Sequence, residues 1–239
     1  MRSARRIGTV LVALSLAATA ACGATTGTPT APKLKAMSAA KLHSALLTRA
    51  NLGTDYYIVG SSSKSPNLGC LSIDVSAALS PTRKAERGFA RKVSGGSGLP
   101  LLVSVTGSYV DQNKLLDDFD AYASSFADCP SVDATKDGVR SRLTVTVDRD
   151  KRDGAVDDQV NVNVVGTVTT RGIRSPFGLR LTGVRLGNDV MFVGYLDLAH
   201  DTSGPFDRVV AASYDRFRAV VHGEKPPAAR KLLEHPKVS

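Results

Sequence analysis

From residue 143 onward the chain breaks into short strand-like runs divided by turn signals, and this pattern restricts the fold more than any other feature. The runs are Leu143 to Val147, Val160 to Val168, Leu179 to Leu186 and Val190 to Leu198. Gly187-Asn188 separates the last two runs and Asp153-Gly154 the first two. Both pairs are tight-turn signals, so the second half reads as a succession of β-hairpins.

The first half carries helical periods instead. Ser38 reads as the N-cap of a helix whose Leu42, Ala45 and Leu46 share a face and which ends near Asn51-Leu52-Gly53. Tyr56 to Val59 is β-rich, Ser61 to Asn67 is a polar loop, and Cys70 opens a strand from Leu71 to Val75. Pro81 can start a second helix, with Ala85, Phe89 and Val93 as its apolar stripe and Gly95, Gly96 and Gly98 as its stop. Leu101 to Val110 reads as a strand. Asp111 then caps a helix in which Leu115, Phe119, Tyr122 and Phe126 recur every three or four residues, with Asp117, Asp118 and Asp120 outward and Cys129-Pro130 at its end. A last helix spans about Pro205 to Val221, with Phe206, Val210, Ser213, Phe217 and Val220 inward. Helices followed by antiparallel runs predict a single α+β domain, a curved antiparallel sheet with helices packed on one face. No internal repeat is evident.

Ahead of this domain stands the cationic leader Met1-Arg2-Ser3-Ala4-Arg5-Arg6, then an apolar segment from Ile7 to about Ala21 that ends in small residues. That is the form of a secretory signal peptide, and the segment is shorter than the about 20 apolar residues needed to cross a bilayer. The stretch Leu16-Ala17-Ala18-Thr19-Ala20-Ala21-Cys22-Gly23 resembles a bacterial lipobox, departing from it at Thr19, where the pattern prefers Leu. The resemblance implies cleavage before Cys22, lipidation of its thiol, and a membrane anchor on the extracytoplasmic face. The alternative is ordinary secretion with Cys22 as a free thiol. Residues 22–36, rich in Thr, Gly and Pro, read as a disordered tether. The domain is then expected over residues 37–222, with a flexible tail from 223 to 239.

With Cys22 lipidated, Cys70 and Cys129 remain as an even pair in a disulfide-permissive compartment and are read as a disulfide. Two buried thiols are the alternative; a metal pair is not supported, because no CxxC occurs and no His lies near either cysteine in sequence.

The order helix, Cys70, helix, strand, aromatic helix ending at Cys129, Asp137-Gly138 step, antiparallel strands, Gly187-Asn188 turn and C-terminal amphipathic helix resembles the extracellular sensor domain of mycobacterial-type serine/threonine kinases. Free-standing actinobacterial lipoproteins carry similar domains. The resemblance covers roughly residues 37–222 and is diffuse; kinase members typically hold a second disulfide that this chain lacks. It implies an α+β domain with a ligand-binding cleft and no catalytic activity.

The residues themselves offer no catalytic signature. The glycines at 95, 96 and 98 lack a following Lys-Ser/Thr, and Gly60-Ser61-Ser62-Ser63-Lys64-Ser65 lacks the second glycine of a P-loop. No Gly-x-Ser-x-Gly elbow is present. His43, His200, His222 and His235 include no HExxH pair, although His43 and His200 could meet in space. In Asp148-Arg149-Asp150-Lys151-Arg152-Asp153-Gly154 the fifth loop position is Arg152 and glycine is seventh, so an EF-hand is not met and the stretch reads as a solvated hairpin turn.

A formal charge of +9 leaves cationic clusters to explain: Arg83, Lys84, Arg87, Arg91 and Lys92 along the second helix, and Arg171, Arg174, Arg180 and Arg185 along the strands. Such patches attract anionic envelope components; nucleic acid is not expected, since aromatic residues for base stacking are scarce. The expected function is a lipid-anchored, extracytoplasmic, sensor-like or ligand-binding lipoprotein that needs no cofactor and no metal. Its rivals are a lipid or glycolipid carrier, which needs a large apolar cavity, and a cell-envelope hydrolase, which needs clustered titratable groups.

Overall fold

A computed structural model of the chain describes residues 35–60, 67–72, 79–93, 96–151, 154–198 and 202–233. The expected signal peptide, Cys22, most of the tether, Gly95, His200, His235 and Asp153 of the Asp153-Gly154 turn lie outside the described residues.

The architecture is α+β, a single open antiparallel sheet of eight strands with helices on it. Three N-terminal strands, β1 (Tyr56–Val59), β4 (Arg83–Val93) and β5 (Gly96–Ser108), make one half. The other half is the meander β6 (Ser131–Lys136), β7 (Val139–Asp148), β8 (Asp158–Thr170), β9 (Ile173–Leu186) and β10 (Asp189–Asp197). The spatial order β1-β4-β5-β10-β9-β8-β7-β6 joins the halves through β10 against β5. A small β2 (Asn67–Leu68) and β3 (Leu71–Ser72) ladder lies apart, and Cys70 beside it is disulfide-bonded to Cys129 at a Cα separation of 5.7 Å. The expected pairing of these cysteines is therefore present.

Among the described residues there are four helices: α1 (Ala39–Ala45), α2 (Arg49–Leu52), α3 (Gln112–Ala127) and α4 (Ser203–Val221). Ser38 caps α1 by accepting from the Lys41 N–H, and Asp111 Oδ1 caps α3 by accepting from the Asn113 and Lys114 N–H groups. The aromatic stripe of α3 is buried as its spacing requires, Phe119 and Tyr122 both packing on Phe192 of β10. Asp118, expected outward, is instead half-buried: its carboxylate accepts from Lys114 Nζ, the Ser80 N–H and the Tyr109 hydroxyl.

The helices divide between both faces of the sheet rather than packing on one. Successive residues of β10 show it: Val190 and Phe192 join the cluster under α3, while Met191, Val193 and Tyr195 join the cluster under α4. Because a strand turns alternate side chains to opposite faces, α3 and α4 cover opposite sides. The sequence concealed this because β10 is buried on both faces and reads as a continuous apolar run.

Two further expectations are corrected. The basic helix after Pro81 is strand β4, paired to β5 from Arg83↔Ser108 to Val93↔Gly96 with a bulge at Ala90/Arg91. A spacing of four residues fits one face of a helix and one face of a strand equally, so Ala85 and Phe89 could not discriminate. Its cations accordingly do not share a face. The stretch after Gly223 does not hang free throughout: Leu233 is buried, the Leu232 N–H donates to Asn51 O, and Arg208 Nε donates to Leu232 O.

Candidate functional site

The α4 side of the sheet is covered over β4, β5 and β10 but not over β7, β8 and the neighbouring part of β9. Register places Asp148↔Asn161↔Thr182 and Thr146↔Asn163↔Arg180 in two rows across these three strands. Asn161, Asn163, Arg180 and Thr182 fall on the side opposite Val160, Val162, Val164, Leu179 and Leu181, which belong to the α3 core. Where this polar surface meets the first turn of α4, an open cleft of about 310 Å³ forms, with Phe206 and Asp207 as one wall and Asp148, Asp150 and Lys151 as another.

Most polar groups of the cleft are held by one another. Asn161 Nδ2 donates to Asp148 Oδ1 at 2.7 Å and to the Asp150 carbonyl at 3.0 Å. Its Oδ1 accepts from Gln159 Nε2 at 2.8 Å and from the Thr182 hydroxyl at 3.0 Å. Arg180 Nε donates to the Thr202 hydroxyl at 3.0 Å, which anchors the guanidinium at the α4 end. Lys151 Nζ donates to the Asp157 carbonyl. Asn163 differs: its Oδ1 is buried with no hydrogen-bond partner among the described residues. The cleft sets this carboxamide beside the guanidinium of Arg180, an arrangement suited to a polar ligand.

The acidic loop read as a solvated turn contributes directly to this site. Asp148 and Asp150 line the cleft, while Arg149 points to salt bridges with Asp120 at 2.6 Å and Asp158 at 3.0 Å. Asp157 accepts from the Gly187 N–H and pairs with Arg185. Among the described residues no three His, Cys, Asp or Glu side chains are grouped to hold a metal. His43 is exposed on α1, and His222 is the C-cap of α4. Of the strand cations expected to form a patch, Arg180 reaches the cleft, Arg185 is paired, and Arg171 and Arg174 lie at the far end of β8 and β9.

Groups with displaced pKa values lie elsewhere. Burial raises the hydroxyls of Tyr109, Tyr122 and Tyr195, and pushes that of Tyr56 up to about 12. Asp189 is raised by burial, partly offset by a hydrogen bond from Ser108. For Asp118 burial acts upward, but bonds from Lys114, Ser80 and Tyr109 together hold it below the ordinary carboxylate value. Arg216 is lowered by burial and by the charge of Arg87. None of these seven groups lines the cleft. No protein-family model matches the chain, and comparison with curated proteins finds no relative. The fold and cleft define the class on their own: an α+β sheet domain with an open, polar recess on an uncovered part of one face.

Sequence reasoning missed Asn161, Asn163 and Thr182. They occupy the outward positions of β8 and β9, where polar residues are the default of any half-buried strand. A signal was present in Asn161 and Asn163, because asparagine is depleted in strands and two occur at alternate positions of one.

Proposed function

We propose that this chain is a lipid-anchored extracytoplasmic lipoprotein that binds a small, hydroxyl-bearing polar ligand in the β7-β8-β9 cleft and carries out no chemistry on it. The observation that carries the reading is the unpartnered Asn163 Oδ1 beside Arg180 in a polar recess. Two apolar clusters fill the space on either side of the sheet, which favours a polar ligand over a lipid cargo. The Cys70–Cys129 disulfide supports an oxidising compartment, and the lipobox at Cys22 supports attachment to the cell membrane. Sensing fits better than catalysis, since the perturbed ionisable groups lie outside the recess.

Native mass spectrometry of the protein purified from its own cells tests the binding. A retained polar adduct that Arg180→Ala and Asn163→Leu both abolish is expected; a retained lipid mass would overturn the reading in favour of a carrier. Labelled fatty acid incorporation tests the anchor separately. Label in the wild type and none in Cys22→Ser is expected, and equal label in both would refute lipidation at that thiol.

A further inference from the structure

At the end of the sheet away from the cleft, two hairpin tips lie side by side. Val139 pairs with Thr170, so the β6–β7 turn at Asp137-Gly138 neighbours the β8–β9 turn at Arg171-Gly172. Ile173 follows the second turn and is 71% exposed, the largest exposure among the large apolar side chains that stand out to solvent. Arg171 and Arg174 flank it, with Lys136 and Arg140 on the adjoining tip; all are exposed. Arg140 shares Asp133 with Arg142, whereas Lys136, Arg171 and Arg174 have no ion-pair partner among the described residues.

The two turns differ in a telling way. Both have positive φ at successive residues, 52° and 77° at Asp137-Gly138 and 50° and 79° at Arg171-Gly172. That turn favours Asn, Asp or Gly at its first position, because a side chain with a long stem crowds the left-handed backbone. Asp137 obeys the preference and Arg171 does not. An arginine thus occupies a strained turn position two residues before an exposed isoleucine.

We infer that this tip docks on an anionic bilayer surface: the arginines and Lys136 meet lipid phosphates while Ile173 enters the headgroup boundary. Unpartnered cations around an exposed apolar apex are complementary to that interface, which offers negative charge at the surface and hydrocarbon beneath it. The inference rests in part on the proposed lipid anchor, which supplies nearness to a membrane.

The chain contains no tryptophan, so Ile173→Trp creates a single fluorescent reporter at the tip. The whole chain carrying it is reconstituted in phosphatidylcholine vesicles and in vesicles of phosphatidylcholine with one quarter phosphatidylglycerol. The expected result is a blue-shifted emission, quenched by brominated lipid, in the anionic vesicles only, reversed by half-molar salt and by Arg171→Glu with Arg174→Glu. Emission typical of water in both vesicle types would overturn the inference, as would a shift produced by soluble polyphosphate and not by vesicles. Arg171→Asn gives an independent check, expected to raise thermal stability while reducing the anionic-vesicle shift; loss of both would mark a structural arginine instead. Because the reporter reads the tip whether or not Cys22 is acylated, its failure is distinct from failure of fatty acid labelling.

Discussion

The two faces of the sheet are built by different means. Under α3 the contact is apolar and aromatic: Phe119 and Tyr122 of the helix meet Phe192, Phe126 packs edge-on against Tyr122, and Val160, Val162 and Leu181 belong to the same cluster. Under α4 apolar packing is interrupted by polar groups that bind helix ends. Arg216, 8% exposed, donates from Nε to Leu46 O at 2.8 Å and from a terminal nitrogen to Ser44 O at 2.7 Å, and Arg87 donates to Leu47 O. These are carbonyls at the C-terminal end of α1, which a helix cannot satisfy by itself and whose partial negative charge favours a cation. One face is held by shape, the other by placed donors. The uncovered recess belongs to the second face, where directional bonding already governs.

Five perturbations separate these modes. The largest acts on the α3 side: replacing Cys70 and Cys129 by Ser frees a closed loop with a sequence separation of 59 and is expected to cost about 4 kcal/mol on the chain-entropy account. A fall in the urea midpoint measures it. Next, Arg216→Met keeps much of the volume but strands the Ser44 and Leu46 carbonyls, with an expected loss of about 3 kcal/mol. Hydrogen exchange should then speed in α1 before it does in α3. Third, Tyr122→Phe removes a hydroxyl that is fully buried without a partner, and is expected to stabilise by about 1 kcal/mol, seen as a higher Tm.

The smallest effects are in pH dependence and have opposite signs on the two faces. Asp118, lowered in the folded state, contributes stability above its unfolded pKa that is lost as pH falls through the folded value. Asp118→Asn should therefore flatten the acid limb of a stability profile. Asp189, raised in the folded state, favours folding most when protonated, and its cost grows as pH rises from the unfolded to the folded value. Asp189→Asn should leave stability little changed in acid and raise it at neutral pH. Urea melts at a series of pH values check both signs.

How much of this was legible in the chain depended on whether a pattern had one physical reading. The α3 stripe, its Asp111 cap, the hairpin runs of β7 to β9 and the inward residues of α4 follow from periods that fit only one element type. Arg83–Val93 did not, since a four-residue interval suits two. Ser131–Lys136 was missed as a strand because it is short and carries one fully buried position, Val132. The cleft was less legible still. Its Asp148 and Asp150 drew notice as a loop motif, but the rows that join them to Asn161, Thr182 and Arg180 exist only through strand register, which no single segment encodes.

The placement of β10 between β9 and β5 has a consequence for biogenesis. As the polypeptide emerges from its N-terminal end, β5 presents an unmatched edge until Asp189 and the residues after it arrive, and only then can α4 lay its donors on α1. The eight-stranded sheet therefore closes only near the end of synthesis, when its central strand is the last to be made.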